Sequence, residues 1–527
     1  MITDCPMLVR KLACIFAVLI FTFQSALQSQ VLPEQINFTR QASKRLIFDE
    51  DQTIPLAGIW PEKSVGFSVM HPVIHQLEDS AKVAITTGQL NLRSTTKTAT
   101  NIWFGGFNPV ATYSLDLASC KGNGALGFSF FGKGSKEKLT IKVIFNDEKP
   151  EGVSLGYTDK NGLSKESSIA VNLPNDATLN GTLYLQMLGS GLVLYLKNKY
   201  LPQVIAQSDF NQLIDLRKKE YLHGFQSHLY TELDSGEVKL DKVVMGLTTG
   251  VGLADIRAIT YEDGSPLLDK GRLWYTMSIR GRALPHHIQG VFSMNPSVFD
   301  IKLEGVILFD RGDGLLRNEV ASHLIFDRND NLWKGLTTGF SAYANPELEK
   351  KQLLAIQSNR DPRFGFSIME AKTFGVVGDI EDPHILYDEE AKKWRMLTCV
   401  NEGGYKAIIM EAEEWDRGYV KIAGPVAHNS TGTSIQKIGS ERYCFSGSSE
   451  REIFIYTYPD LKEAGTLKMD LPPWDQASGT RVWPNVVQLP DGYPFSYVAL
   501  MMDRINYPGM VGPNWTYGAL YLYHGFE

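Results

Sequence analysis

The second half of the chain contains a repeat, and this repeat limits the fold more than any other feature. Five segments share one form: an apolar strand, a polar turn, and a second strand that opens with an aromatic residue. The second strands open at Trp274, Trp333, Trp394, Tyr443 and Phe495. A period of roughly 40–60 residues with several strands per unit is typical of propeller blades. We therefore predict a five-bladed β-propeller over residues 249–527, with these aromatic residues in the core between blades.

Residues 61–248 show a different pattern, in which many short apolar runs are separated by turn signals such as Asn161-Gly162. This spacing predicts a β-sandwich and resembles the jelly-roll sandwiches attached to secreted carbohydrate enzymes. Residues 236–244 alternate like an edge strand that closes the sandwich. Residues 29–60 are interpreted as an extended lead-in. The predicted fold class is all-β, with a jelly-roll-like sandwich followed by the propeller.

The N-terminus has the parts of a secretory signal peptide. Arg10 and Lys11 precede an apolar run over residues 12–23, and a polar stretch with small residues follows it. This run is shorter than the roughly 20 residues that a membrane-spanning helix needs. We expect residues 1–28 to be removed on export to the periplasm or the extracellular space, with no transmembrane anchor left behind.

Charge and cysteine content exclude several classes of function. The chain has 52 Lys and Arg against 59 Asp and Glu, and no basic run, so we expect no nucleic-acid partner. Three cysteines remain after the signal peptide, and we expect them to be buried free thiols: Cys120, Cys399 and Cys444. No metal-ligand spacing is present, and no cofactor is required by this interpretation. A structural calcium in the propeller channel and the oligomeric state are left open.

Carboxylates lie where the blades begin. In a propeller the innermost strand of each blade starts at the central channel, so residues at these starts converge from different blades. Asp255, Glu319 and Asp382 lie at the starts of the first three units. Hydrolysis of a glycosidic bond needs two such groups, one ionised and one protonated. The alternative is that these acidic residues only cap strands and turns.

Two of these starts resemble a known group of enzymes. Ala254-Asp255, and the run from Glu381 to Tyr387, resemble the five-bladed propeller glycoside hydrolases of families 43, 62, 32, 68 and 117. The resemblance implies that Asp255 is the base or nucleophile. It also implies that Asp382 orients and tunes a general acid, which follows in the next blade.

The expected acid is where the chain departs from this group. In most of these families the acid is a Glu followed by Gly-Pro, whereas residues 429–433 contain no carboxylate. Family 117, whose members use a His, is the closest in this respect, and the resemblance gives that role to His428. Glu319 and Glu402 are competing candidates.

Further residues near the blade starts or in their loops are candidate substrate ligands. Arginine can bind hydroxyls or a carboxylate through two hydrogen bonds, and tryptophan offers a stacking face. Structural ion pairing is the alternative for each arginine. The candidates are Arg257, Arg280, His286, His287, Glu381, Glu402, Arg481 and Trp483.

The sequence therefore predicts a secreted glycoside hydrolase, exo-acting on plant or algal oligosaccharides. The missing Glu in blade four supports a first alternative, a propeller that binds carbohydrate without catalysis. The second alternative is a polysaccharide lyase, with His or Tyr as base and Arg neutralising a uronate. An oligosaccharide or polysaccharide is the partner in all three, while the sugar and the linkage are not determined.

Overall fold

The computed structural model describes residues 30–64, 67, 70–77, 80–189, 191–210, 212–281, 287–343, 346–475, 482–510 and 515–527. The predicted signal peptide, His286 and Arg481 lie outside these residues. Strands dominate, which confirms the all-β class. Among the described residues the helices are α1 (Lys219–Gly224) and the 3-10 turns Pro33–Gln35, Glu50–Gln52, Pro61–Lys63 and Phe340–Tyr343. None of these helices is long and apolar enough to cross a membrane.

After β1 (Asn37–Lys44), which belongs to another sheet, thirteen strands between residues 54 and 247 form one antiparallel sheet. They are β2 (Ile54–Ile59), β3 (Val73–His75), β4 (Lys82–Thr86), β5 (Gln89–Ser94), β6 (Thr98–Gly106), β7 (Thr112–Phe131), β8 (Lys138–Asn146), β9 (Lys149–Thr158), β10 (Ser164–Ile169), β11 (Gly181–Leu188), β12 (Gly191–Lys197), β13 (Gln203–Asp209) and β14 (Gln226–Leu247).

The long strands β7 and β14 organise this sheet, because they pair with each other along most of their length. Their two ends have different outer neighbours: β8 and β6 at one end, β11 with β5 and β2 at the other. Side chains from both ends, such as Ile141 and Leu185, join one apolar cluster. The prediction that residues 236–244 are an edge strand is wrong, because they lie within β14 and have partners on both sides. Alternating burial shows only that one face is covered, which edge and central strands share.

The second half forms five antiparallel units of four strands each. Unit one contains β15, β18, β19 and β20, unit two β22–β25, unit three β26–β29, unit four β30–β33, and unit five β34–β36 with β1. The bounds are β15 (Gly252–Ala258), β16 (Thr260–Tyr261), β17 (Leu268–Asp269), β18 (Arg272–Arg280), β19 (Ile288–Met294), β20 (Lys302–Asp310), β21 (Leu316–Arg317), β22 (Val320–Asp327), β23 (Leu332–Thr338), β24 (Gln352–Ser358), β25 (Gly365–Val377), β26 (Ile380–Asp388), β27 (Lys393–Asn401), β28 (Tyr405–Ala412), β29 (Val420–Ala423), β30 (Thr431–Ile438), β31 (Glu441–Gly447), β32 (Ile453–Thr457), β33 (Glu463–Thr466), β34 (Val486–Gln488), β35 (Tyr497–Met502) and β36 (Leu520–Phe526).

Unit five is built from both ends of the chain. Strand β1 pairs antiparallel with β36, so that Asn37 lies opposite Phe526 and Lys44 opposite Leu520. The interpretation of residues 29–60 as a lead-in therefore missed two strands, β1 here and β2 in the large sheet. Most side chains of β1 are exposed, so its sequence has no apolar alternation to reveal it.

The first strands of the units are arranged in a ring. β15 contacts β22, β22 contacts β26, β26 contacts β30, and β30 contacts β34, while β35 of unit five returns to β15. All five predicted repeat segments fall on antiparallel strand pairs. The five aromatic residues that open the second strands are buried, as predicted. We call the end of the ring at which the first strands begin the upper end; the turns between second and third strands also lie there.

Candidate functional site

A β-bulge recurs at the upper end of the first strand in units one to four. One residue in each bulge has a left-handed backbone: Asp255, Ala321, Asp382 and Gly432, with φ between 54° and 62°. Aspartate is one of the few residues besides glycine that adopt this conformation readily, and bulges re-aim side chains. Asp255 and Asp382 therefore occupy equivalent positions in units one and three.

Gly432 is the unit-four member of this set, and only glycine fits there. A Cβ at this position would lie 2.7 Å from the Trp483 ring, and the positive φ adds strain for any other residue. Unit four thus supplies a main-chain N–H at the bulge instead of a carboxylate.

Asp255 is buried and held by an arginine. Its Oδ2 accepts a hydrogen bond from Arg280 Nη2 at 2.5 Å, and its main-chain N–H points at Met502 Sδ at 3.2 Å. A guanidinium at this distance stabilises the negative charge of a carboxylate. The predicted site residue Arg280 therefore lies in the site, as the partner of Asp255.

Asp382 is also buried, but its hydrogen-bond partners and neighbouring charges differ from those of Asp255. Its Oδ2 accepts a hydrogen bond from the Gly432 N–H at 2.8 Å, and Cys399 Sγ is 3.8 Å from the same oxygen. Burial raises the pKa of Asp382 to about 7, and the charges of Glu381 and Asp255 add to the rise, against a lowering by Arg257. The carboxyl therefore keeps a large share of its proton near neutral pH.

The two aspartates form a pair with unlike environments. Asp255 has a cationic partner, whereas Asp382 is desolvated and feels the charge of Asp255. Unlike surroundings of two carboxyl groups are how acid and base roles are divided between them. Burial favours the protonated form of Asp382, while the carboxylate of Asp255 has the Arg280 guanidinium as its partner.

Arg257 and Trp483 lie beneath this pair. The Arg257 side chain is buried and donates to the main-chain oxygens of Asp382, at 2.8 Å, and Thr433. Its guanidinium lies 4.9 Å from the Trp483 ring, and Trp483 Nε1 donates to Ile256 O at 2.5 Å. Both were predicted to bind substrate, but both are buried, and these polar groups donate hydrogen bonds to main-chain oxygens instead. They link the first strands of units one, three and four.

The sequence analysis did not decide whether a calcium ion binds in this region. Calcium takes six to eight oxygen ligands. Glu381, Asp382 and Cys399 bring one ligand atom each within 4.8 Å of the others. One of the three atoms is a thiol sulfur, and burial raises the pKa of Cys399. The Arg257 guanidinium is also bonded to Asp382 O. This donor set does not fit calcium.

Glu319 lies in an ionic network that is separate from the contacts made by the two aspartates. Its carboxylate is buried, pairs with Arg311, and accepts from the Ser341 N–H at 2.9 Å. Arg311 also reaches Glu349, which pairs with Arg317 at 3.0 Å. A proton donor would have to leave these partners, so the contacts do not support Glu319 as the acid.

His428 lies beside the outer strands of unit four. Its ring stacks on Phe454 of β32 at 3.8 Å, and its two nitrogens face Glu450 at 3.2 Å and Glu463 of β33 at 3.3 Å. These contacts of the His428 ring are all with the outer part of unit four, and none of them involves Asp255 or Asp382. The resemblance to family 117 depended on this residue, and the placement does not support it.

The remaining candidates are divided. Glu381 accepts from Lys351 Nζ at 2.8 Å and raises the pKa of Asp382, so it belongs to the site. His287 is buried and its ring lies 5.7 Å from that of Phe340. Glu402 is exposed in the short turn after β27. Within the described residues the predicted cysteines are free and buried, as expected.

The sequence analysis missed Lys351 and Tyr405, which complete the surroundings of Glu381. Lys351 Nζ lies 2.6 Å from Asp379 Oδ1 and 2.7 Å from the Tyr405 hydroxyl. Both residues come from turns and strand ends outside the repeat, so repeat position gave no signal. The left-handed bulges, by contrast, leave a signal in the sequence, because a polar residue stands two places after each of them. These residues are Arg257, His323, His384 and Ser434.

A cavity of about 450 Å³ lies elsewhere, at the lower end of units two and three. It is lined by the turn at Asp327–Asp330, by Lys334 and Trp394, and by residues 413–417. Within this lining, Lys334 forms a salt bridge with Asp327 at 2.8 Å. Neither Asp255 nor Asp382 lines this cavity.

No protein-family model matches the chain, and no curated protein matches it. Solved structures do match. The GH43_1 enzyme of Xanthomonas citri is 11% identical with a TM-score of 0.36, covering 51% of this chain and 87% of its own. The catalytic domain of the Coprinopsis cinerea GH62 α-L-arabinofuranosidase is 8% identical with a TM-score of 0.36, covering 52% and 90%. The α-L-arabinofuranosidase of Lactobacillus brevis is 11% identical with a TM-score of 0.35, covering 51% and 90%. Similarity at this level decides nothing about activity, which has to be inferred from the residues of this chain.

Proposed function

We propose that the protein is a glycoside hydrolase that cleaves oligosaccharides at the upper end of the ring. The observation that carries this proposal is the pair of aspartates at equivalent bulges, one ion-paired and one desolvated. Asp255 accepts the proton of the attacking water. Asp382 holds the proton that the departing sugar oxygen takes up. The Gly432 N–H donates a hydrogen bond to Asp382 Oδ2 and so orients the Asp382 carboxyl group.

The finer architecture belongs to the same proposal. The five units are blades of a propeller, closed by β1, and the thirteen-stranded sheet folds on itself as a jelly-roll-like sandwich. Residues 1–28 direct export, so the enzyme works on oligosaccharides outside the cytoplasm. We also propose that cleavage is exo-acting, supported by the longer segments that connect the second and third strands in units one, two and five than in units three and four.

One observation favours a second candidate, a carbohydrate-binding ring without catalysis. Among the described residues, neither Glu319 nor His428 is placed with the aspartates, so a third catalytic group is missing from the contacts seen. The lyase alternative loses support, because Arg257 is buried and Arg280 is paired with Asp255.

The substitution Asp255→Asn tests the proposal. It keeps the size of the side chain and removes the charge, so turnover should fall by about 10²–10⁴-fold, the usual contribution of a positioned base. Hydrolysis of aryl glycosides of arabinose, xylose and galactose by the mature protein measures it. Asp491→Asn, at an exposed turn of unit five, is the matched control. Wild-type turnover in the Asp255→Asn variant, or no turnover of any glycoside by the wild type, refutes the hydrolase.

A further inference from the structure

The upper end of the ring is unequal. The turns between second and third strands are short in units three and four, over residues 402–404 and 448–452. They are longer in units one, two and five, over residues 281–287, 339–351 and 503–519. Units five, one and two are neighbours in the ring. The described parts of these three turns therefore come from neighbouring units.

These three turns meet through a row of aromatic rings, which we call the aromatic row. It runs from His287 in unit one through Phe340 and Tyr343 in unit two to Trp515 in unit five. The ring centroids are 5.7 Å, 5.8 Å and 5.5 Å apart in this order. The Phe340 and Tyr343 rings are nearly parallel, at 8°. Tyr343 is 53% exposed, so a large aromatic surface stays open to solvent at this point.

The aromatic row is connected to Asp255 through the turn of unit five and Arg280. Trp515 precedes Tyr517, whose ring lies 5.2 Å from the guanidinium of Arg280, the partner of Asp255. The main chain of the same turn bonds to the first strand of unit one, because the Leu253 N–H donates to Gly518 O at 3.1 Å. The row is therefore separated from Asp255 by only a few packed side chains.

The ionic network around Glu319 holds the row in place. Ser341, between the two aromatic residues of unit two, donates its N–H to Glu319 Oε2 at 2.9 Å. Its hydroxyl lies 3.0 Å from oxygens of both Glu319 and Glu349. Both carboxylates pair with Arg311, and Glu319 and Ser341 are buried while Arg311 and Glu349 are partly buried. A network of this kind behind an exposed tyrosine is unusual for a surface turn and is explained if the tyrosine binds something.

We propose that Tyr343, backed by Phe340 and Trp515, is a stacking subsite for a sugar ring of a neutral oligosaccharide. The role of the bound sugar as a neighbour of the cleaved residue rests on the proposed function, while the binding itself does not. An open aromatic face binds the apolar face of a sugar ring, and polar groups around it fix the orientation. Glu319 is a positioning residue for this subsite, acting through Ser341.

Binding is tested with xylohexaose, arabinohexaose and cellohexaose by calorimetry on the full-length mature protein carrying Asp255→Asn, so that ligand is not consumed. At least one hexaose should bind, and adding Tyr343→Ala should weaken that binding about tenfold or more. Tyr343→Phe keeps the ring and should restore the affinity. Tyr200→Ala, at an 85% exposed tyrosine of the large sheet, is the control and should have no effect. Failure of all three hexaoses to bind, or equal binding with Tyr343→Ala, overturns the subsite.

A kinetic measurement separates the subsite from the proposed function and tests the role of Glu319. With a hexaose that the wild type cleaves, Tyr343→Ala and Ser341→Ala should raise KM and leave kcat within about twofold, because a remote ring adds binding that the ground state and the transition state share. With an aryl monosaccharide glycoside, neither parameter should change. A fall in kcat with unchanged KM contradicts the subsite. Tyr343-dependent binding without any hydrolysis leaves the subsite standing and removes the hydrolase.

Discussion

The thirteen-stranded sheet is antiparallel, and so is each of the five units of the ring, although parallel pairs join units one and two, but the two regions bury different kinds of side chain. The sheet encloses one large apolar cluster, with Phe128 and Leu185 fully covered, and it buries few charged side chains, Glu137 and Arg217 among them. The ring divides its apolar side chains among several smaller clusters. At its centre it buries charged and polar groups, among them Asp255, Arg257 and Asp382.

The difference follows from how each region closes. In the large sheet, side chains from both ends of β7 and β14 fill one apolar cluster. A ring brings five strand starts to one point, where bulged main chain and left-handed residues need hydrogen-bond partners. Buried polar groups are therefore concentrated in the ring, and the same packing supplies the unlike environments of the two aspartates.

The largest expected effect on stability is similar in the two regions, and the effect on turnover distinguishes them. Phe128→Ala empties a fully buried site in the sheet and should cost about 3–5 kcal/mol in the free energy of unfolding. Phe309→Ala, equally buried in the ring, should cost a similar amount. Urea unfolding measures both. The folded fraction of the Phe128→Ala variant should keep wild-type turnover, and a loss there would mean that the sheet takes part in the site.

A smaller effect is expected where the ring is closed by the N-terminal strand. Phe38 of β1 packs into the cluster that joins units four and five. Phe38→Ala should cost about 3 kcal/mol and loosen β36. Amide hydrogen exchange should speed up in β36 and remain unchanged in β12 of the large sheet, because local opening reports local stability. Equal acceleration in both strands would show that the two regions unfold as one unit.

A pH-dependent effect on stability is expected from Asp382 in the ring. Its pKa is about 7 in the folded protein and about 3.9 in an unfolded chain. The folded state therefore binds the extra proton between these values, so the stabilisation is complete below about pH 4 and is lost as the pH rises through 7. Asp382→Asn removes this loss, so its stability relative to wild type should rise between pH 4 and pH 8.

Denaturant titrations of both proteins at the two pH values measure this difference. Burial lowers the pKa of His323 to about 3 and that of His384 as well, which gives the opposite slope at acidic pH. Those histidines are present in both proteins, so their contribution cancels in the comparison. A constant difference between the variant and the wild type would show that Asp382 stays ionised.

Several features of this protein are determined by its sequence alone. The period of the apolar and aromatic residues predicted the five strand pairs and the buried rings, because both depend on contacts between neighbours in the chain. Asp255 and Asp382 were found for the same reason, since each holds the same place in its repeat. The all-β class follows from the short alternating runs and the frequent turns.

Other features were decided by the tertiary structure. The pairing of Asn37 with Phe526 joins residues at opposite ends of the chain, and no local pattern announces it. His428 and Glu319 had suitable chemistry and spacing, yet packing gave one to the outer strands and the other to a buried ionic network. The aromatic row forms only because turns of three units meet at one end of the ring. Proximity across the ring depends on how the units close, and the chain order of the residues does not encode that distance.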